Sequence, residues 1–168
     1  MIFTAMSDGR FDLGGQIVRC ALGRGGVKPA REKREGDGAS PLGVWPIRRV
    51  LYRPDRGPAP KTALTVLQIS PADGWCDAPD DPAYNSPVRL PYPASAEHLW
   101  RDDDVYDLLV VLGHNDDPPR AGFGSAIFLH LARGDYSPTQ GCVALARSDM
   151  ATFLDKAAPT DSVAIFQV

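Results

Sequence analysis

The chain has 168 residues, 43% of them hydrophobic and 23% charged, and its formal net charge is −3. These values predict one packed, soluble domain over residues 1–168 and exclude a disordered chain. Lysines and arginines form no patch or run that would bind nucleic acid, and no apolar stretch reaches the roughly 20 residues of a membrane-spanning helix.

The first residues and the number of cysteines indicate the cellular compartment in which the protein is expected. The opening MIFTAMSDGR lacks the basic and apolar regions of an export signal, so a protein without such a signal is expected. Cys20, Cys76 and Cys142 are an odd and sparse set, which does not predict a disulfide framework. A monomer is the simplest expectation for such a chain.

Short apolar runs separated by turn residues predict a mostly β fold. Residues 11–22 predict a hairpin, and residues 23–38 an exposed loop. The run 44–52 predicts an edge strand, because Pro46 within it cannot donate a hydrogen bond to a neighbouring strand. Further strands are expected at 62–69, 105–112, 126–129, 142–145 and 163–168, and the almost continuously apolar 105–112 should be central.

A long stretch between residues 70 and 100 is rich in proline and in aromatic side chains, including Trp75, Tyr84, Tyr92 and Trp100. A loop of this length without regular structure is uncommon unless it has a function. We therefore expect an irregular excursion that covers the sheet and faces a substrate.

One short helix is expected near the end of the chain, over residues 149–157. Ser148 is a suitable N-cap, and Pro159 would end the helix. The spacing of Met150, Phe153 and Leu154 gives this helix one apolar face.

A histidine and a cysteine stand at the ends of two successive apolar runs. His130 follows the run 126–129 and Cys142 opens the run 142–145, so the two side chains are expected at one edge of a sheet. A thiol next to a base is the arrangement that nucleophilic catalysis needs. A backbone carbonyl near Leu131 would orient the imidazole, and the amides around Gln140 and Gly141 would bind an oxyanion.

These polar residues also allow other assignments. A cysteine that opens an apolar run is often a small core residue, and Cys20 and Cys76 are assigned to that role. His114 and Asn115, which follow the central strand, are candidates for substrate contact, as is Thr139. A metal site built from His98, His114, His130 and Cys142 would lack a close-spaced pair of ligands, so no metal is expected.

The motif around Cys142 resembles a known family. His130, the loop after it and the sequence Thr139-Gln140-Gly141-Cys142-Val143 are similar to the signature of YkuD-type L,D-transpeptidases of bacterial cell walls, in the branch that carries Gly-Cys-Val-Ala-Leu. The upstream segment 38–45 resembles the family's Thr-Pro-x-Gly segment. Ala144 stands where many members have an arginine, and Arg133 and Arg147 are candidates to bind a carboxylate in its place.

The resemblance implies a mostly β sandwich or barrel with mixed sheets and one short C-terminal helix. It implies cysteine-dependent acyl transfer on peptidoglycan stem peptides, with Cys142 as the nucleophile and His130 as its base, without a cofactor. A carbapenem would acylate Cys142. The family acts in the periplasm or cell envelope, whereas the missing export signal leaves the cytoplasm open.

Two other functions remain open at this stage. An L,D-carboxypeptidase or another cell-wall amide hydrolase would use the same cysteine and histidine with water as the acceptor. A non-catalytic wall-binding module would keep the aromatic-rich stretch without a reactive thiol.

Overall fold

The computed structural model describes residues 1 to 168 and contains thirteen β-strands and one α-helix. The strands are β1 (Ile2–Met6), β2 (Arg10–Asp12), β3 (Ile17–Ala21), β4 (Val27–Pro29), β5 (Ser40–Tyr52), β6 (Val66–Gln68), β7 (Asp73–Cys76), β8 (Pro87–Arg89), β9 (Ala96–His98), β10 (Leu108–Leu112), β11 (Phe128–Leu131), β12 (Val143–Leu145) and β13 (Ser162–Phe166). The helix α1 covers Arg147–Lys156.

Eight of the strands form a closed ring. They follow the order β10-β11-β12-β3-β2-β1-β13-β5, and a pairing between β5 and β10 closes the ring, while β4 and β6 attach to β5. The pairs β1–β13 and β11–β12 are parallel, and the other pairs of the ring are antiparallel. The predicted mostly β barrel with mixed sheets and one short helix is confirmed.

The longest strand, β5, connects two parts of this ring. Its first half pairs with β13 up to Pro46, and from Ile47 onward it pairs with β10. The edge strand predicted from Pro46 is wrong. The proline lies where the strand changes partners, so its missing N–H interrupts no continuous ladder, and its carbonyl accepts a hydrogen bond from the Gly113 N–H at 2.9 Å.

The segment 70–100 has regular structure, contrary to the predicted irregular loop. Three short strands in it form a second antiparallel sheet in the order β8-β7-β9. This small sheet lies against the barrel, because Trp75 packs edge-on against Phe128 with ring centroids 5.1 Å apart. The stretch therefore does cover the sheet, as expected, but it does so as a folded unit.

Other local differences have simple causes. The hairpin of β2 and β3 is confirmed, whereas β1 was not predicted, because its sequence IFTAM shows no clear alternation of apolar and polar residues. The helix begins two residues earlier than expected, with Ala146 as N-cap and no side-chain cap, so Ser148 lies inside it. The loop 23–38 contains β4 and buries Lys33.

Two hydrophobic clusters lie on opposite faces of β10, β11 and β12. The inner cluster fills the barrel and includes Leu129, Leu131, Val143 and Leu145, all almost completely buried. The outer cluster, which includes Phe128 and Cys142, lies between the barrel wall and the small sheet. Because side chains alternate along a strand, β10 and β11 contribute to both clusters, while β12 contributes to the inner cluster and Cys142, directly before it, to the outer one.

Candidate active site

The two predicted catalytic residues lie on the outer face of the neighbouring parallel strands β11 and β12. In the register of this pair Leu129 is opposite Val143 and His130 is opposite Ala144, and Cys142 directly precedes Val143. The alternation of side chains therefore places His130 and Cys142 on the same face, one diagonal step apart. The pair was expected at a sheet edge, but it lies on a face, because β11 extends to Leu131 and includes His130.

Both residues line a cavity of about 390 Å³ between the barrel and the small sheet. Its wall combines carboxylates, cations and backbone from distant parts of the chain. The residues that line the cavity include Lys33, Glu35, Asp77, Glu97, Arg101, Tyr106, Ala126, His130, Arg133, Thr139, Gln140, Cys142 and Ala144.

The thiol of Cys142 is held by two backbone groups. Its Sγ–H donates to the carbonyl oxygen of Ala126 at 3.2 Å, and the Phe128 N–H donates to Sγ at 3.3 Å. Burial raises the pKa of Cys142 to about 12, and the negative charge of Glu97 acts in the same direction. The resting cysteine is thus a neutral thiol at physiological pH.

The imidazole of His130 is buried and fixed at one nitrogen. Nδ1 lies 2.9 Å from the carbonyl oxygen of Leu131, so in the neutral ring Nδ1 carries the proton and Nε2 is the basic nitrogen. Burial lowers the pKa of His130 to about 4. The ring of Tyr106 contacts the imidazole edge-on, with centroids 5.3 Å apart. A neutral base therefore stands beside a neutral thiol.

A tight turn presents Cys142 to the cavity. Gly141 has a φ of +129°, and a Cβ there would lie 2.9 Å from the Ala39 carbonyl oxygen, so a side chain at this position would be strained. The Thr139 hydroxyl donates to the Cys142 carbonyl at 2.7 Å and accepts from the Gly141 N–H at 3.1 Å. Thr139 thus stabilises the turn from within.

The same turn leaves two backbone donors without a partner in the chain. The N–H groups of Gln140 and Cys142 donate no hydrogen bond, whereas the Gly141 N–H is taken by Thr139. The amides of residues 140–142 are the ones expected to bind an oxyanion. The geometry favours Gln140 and Cys142 for that role.

Some predicted site residues lie away from the cavity. His114 is buried against Trp45, with ring centroids 4.6 Å apart, and its Nε2 is 3.0 Å from the Phe123 carbonyl oxygen. Asn115 holds the loop after β10 through its own hydrogen bonds to Arg120 and Gly124. These contacts give both residues a structural role, because β10 ends on the far side of β11 from the thiol.

The two arginine candidates are separated by the fold. Arg133 lines the cavity and donates to Asp103 at 3.0 Å. Arg147 lines a different cavity, where it donates to Asp107 at 3.0 Å. Of the two, only Arg133 can reach a ligand beside Cys142.

The four residues of the metal alternative do not come together. No group of three or more His, Cys, Asp or Glu side chains is placed to hold a metal ion. His98 lies in β9 at an exposed position, and His114 is outside the cavity.

Sequence reasoning missed the charged lining of the cavity. Lys33 and Glu35 belong to a mixed-charge segment that was predicted to be an exposed loop, and Glu97 and Arg101 lie at the end of the covering segment. Glu97 accepts a hydrogen bond from the Tyr106 hydroxyl, and burial raises the pKa of its carboxyl group. The only available signal was the position of Glu97 in a stretch that already appeared functional.

The family model described as YkuD, L,D-transpeptidase catalytic domain, matches residues 5–165. Among curated proteins no match is found. A similar solved structure is that of the helical cell shape determining protein Pgp2 from Campylobacter jejuni, with 14% sequence identity and a TM-score of 0.47. The alignment covers 99% of this chain and 47% of that protein, so the chain spans about half of its length. In the present structure, no helix is both long and apolar enough to cross a membrane.

Proposed function

Since the chain belongs to the YkuD family of L,D-transpeptidase catalytic domains, we propose that it transfers acyl groups between peptidoglycan stem peptides through a thioester on Cys142. The single observation that carries this proposal is the position of the Cys142 thiol and the His130 imidazole on one face of adjacent strands, inside one cavity. The reaction would take place in the cell envelope, where the substrate lies.

In the first half of the reaction the thiol attacks an amide carbonyl. The Sγ–H proton passes to Nε2 of His130 as the carbon–sulfur bond forms, and the oxyanion accepts hydrogen bonds from the free N–H groups of Gln140 and Cys142. His130 then gives this proton to the departing amine as the amide bond breaks. The acyl group remains on sulfur.

In the second half an amine of another stem peptide attacks the thioester. His130 takes a proton from the attacking amine and returns one to the leaving sulfur, which restores the neutral thiol and imidazole. An L,D-carboxypeptidase would follow the same steps with water in place of the amine. The resting protonation states fit this cycle, because the raised pKa of Cys142 and the lowered pKa of His130 both keep the pair uncharged between turnovers.

The charges in the cavity suit a zwitterionic peptide. Glu35, Asp77 and Glu97 supply negative charge, and Lys33, Arg101 and Arg133 supply positive charge. Arg133 is about half exposed, so its guanidinium group can exchange Asp103 for a ligand carboxylate at modest cost. We propose Arg133 as the group that takes the role of the arginine missing at Ala144.

Intact mass spectrometry after exposure to a carbapenem tests the proposal. The wild-type chain should gain the mass of one opened carbapenem, and Cys142→Ala should gain none. Cys20→Ala removes another buried cysteine outside the cavity and should still form the adduct, which makes it the matched control. A wild-type chain that stays unmodified would overturn the assignment of Cys142.

Transfer and hydrolysis are separated with a defined tetrapeptide stem and an added diamino acid. A transferase forms a new amide product whose yield rises with the amine concentration. A carboxypeptidase releases the terminal D-residue at a rate that the amine does not change. A non-catalytic wall-binding module would do neither. Its Cys142→Ala variant would bind peptidoglycan as well as the wild-type chain does.

A further inference from the structure

Asn85 has no motif around it, yet its side chain uses all of its hydrogen-bonding capacity next to the candidate site. Its Oδ1 accepts from Trp75 Nε1 at 2.9 Å and from the Ala126 N–H at 3.0 Å. Its Nδ2 donates to the carbonyl oxygens of His114 at 3.0 Å and Asn115 at 2.7 Å. Two donors on one side and two acceptors on the other fix the orientation of this buried amide.

One of these partners is the residue that holds the Cys142 thiol. Ala126 accepts the Sγ–H of Cys142 on its carbonyl oxygen and gives its own N–H to Asn85. Its φ is +52°, a left-handed conformation that costs alanine about 1–2 kcal/mol. Such a conformation persists only when its surroundings determine it, and the Asn85 side chain is the contact that holds the N–H side of Ala126.

The strand that follows continues the same contact with the thiol. Phe128, two residues after Ala126, donates its N–H to Cys142 Sγ. The segment 126–128 thus contacts sulfur at two points, one that accepts the thiol proton and one that would stabilise the thiolate. Any shift of Ala126 changes the balance between these two hydrogen bonds.

We propose that Asn85 is a positioning residue, which holds the segment 126–128 against Cys142 and so controls how readily the thiol loses its proton. Asn85 touches neither Cys142 nor the proposed substrate atoms, and it acts through Ala126. The proposal rests on the proposed function only for its effect on acyl transfer, because the reactivity of the thiol can be measured without any substrate.

The informative variant is Asn85→Gly. The φ of Asn85 is +56°, a value that glycine adopts without strain. This change therefore removes the side-chain hydrogen bonds and keeps the backbone conformation. With Ala126 released, its carbonyl no longer holds the thiol proton and water gains access to sulfur. Both effects favour the thiolate, and the Phe128 N–H that stabilises the thiolate stays in place because Phe128 pairs with Val111 of β10.

The measurement is the rate of alkylation by iodoacetamide against pH, followed for each cysteine by peptide mass spectrometry. Cys20, which is buried in β3 outside the cavity, is the internal reference for global opening. In Asn85→Gly the ratio of the Cys142 rate to the Cys20 rate at neutral pH should rise about tenfold, which corresponds to one unit of pKa. The rate of carbapenem acylation should fall in the same variant, because the released thiol is no longer held in the position from which it attacks the carbonyl carbon.

Other groups near Cys142 must stay unchanged in this comparison. Glu97 in β9, Lys33 in the loop before β5, Tyr106 before β10 and His130 in β11 all face the thiol. Asn85→Gly alters none of them. A matched control is Ile165→Val, a mild change in the inner cluster, which should leave the ratio at its wild-type value.

The outcomes separate this proposal from the proposed function. An unchanged ratio and pH profile in Asn85→Gly would overturn the positioning role, whether or not a carbapenem adduct forms. A wild-type chain without an adduct, together with a raised ratio in Asn85→Gly, would overturn the function and keep the positioning role. If Asn85→Gly does not fold, the isosteric Asn85→Asp decides. Its negative charge beside Ala126 should lower the ratio, and an unchanged ratio there would equally refute the proposal.

Discussion

The two faces of β11 bury different kinds of side chain against different partners. The inner face carries Leu129 and Leu131, which belong to the hydrophobic cluster inside the closed barrel. The outer face carries Phe128 and His130, which lie against the small sheet with Cys142 beside them. The inner face gives apolar burial without polar groups, whereas the outer face buries an imidazole and a thiol that must stay uncharged to remain there.

This difference shows how one strand can serve stability and chemistry together. Rigid packing on the inner face fixes the backbone of β11 and β12, and that backbone sets the positions of His130 and Cys142. A substitution on the inner face should therefore change the free energy of unfolding, and one on the outer face should change the rate of acylation.

The largest effect is expected for His130→Gln, which removes the base and leaves a polar side chain of similar size. The rate of carbapenem acylation should fall by about 10²–10⁴-fold, the usual contribution of a general base. Intact mass against time gives this rate. His114→Gln replaces the other buried histidine, which lies outside the cavity, and should acylate at the wild-type rate; equal losses in both variants would contradict the assignment of the base.

On the inner face, Leu129→Ala should lower the free energy of unfolding by about 2–5 kcal/mol, because it leaves a cavity in the barrel core. Urea denaturation followed by tryptophan fluorescence measures this change. The folded fraction should still be acylated at close to the wild-type rate. A tenfold slower acylation of folded Leu129→Ala would show that the two faces are not separable.

Stability should depend on pH through the outer face. His130 binds its proton near pH 4 in the folded chain but near its ordinary pKa of 6.5 in the unfolded chain, so the unfolded state binds more protons between these values. The free energy of unfolding should therefore fall as the pH drops from 6.5 to 4, by about 3 kcal/mol from this residue. Urea denaturation at several pH values checks this, and His130→Gln should show a flatter dependence; a parallel curve would contradict the burial of a neutral imidazole.

The smallest effect concerns recognition of the substrate. Arg133→Gln should raise the KM for a tetrapeptide stem by up to about fivefold, as expected for the loss of one exposed ion pair, with little change in kcat. Arg147→Gln removes an arginine from the other cavity and should leave both constants unchanged. Equal values of KM in the two variants would exclude Arg133 from carboxylate binding.

The sequence allowed the prediction of strands whose pattern is local. The hairpin β2–β3 and the central β10 follow from turn residues and apolar runs, and the Gly-Cys motif located the turn before β12. The role of β5 could not be predicted, because its change of partner at Pro46 depends on β10 and β13, which lie more than 50 residues further along the chain.

The candidate site shows the same limit. His130 and Cys142 are twelve positions apart, and one motif contains both. Lys33, Glu97 and Asn85 reach the cavity or its supports from remote segments, and no local pattern distinguishes them from ordinary surface residues. The left-handed conformation of Ala126 was also beyond prediction, since alanine gives no sign of a positive φ.

The closure of the barrel by its first and last strands has a consequence for how the chain folds. β1 at residue 2 pairs in parallel with β13, which ends at residue 166, and β13 also pairs with the first half of β5. Neither contact can form until the last strand has left the ribosome. A ring that depends on contacts so distant along the chain should fold slowly and only after β13 has been synthesised, and until then β1 and β5 present unpaired edges that invite aggregation.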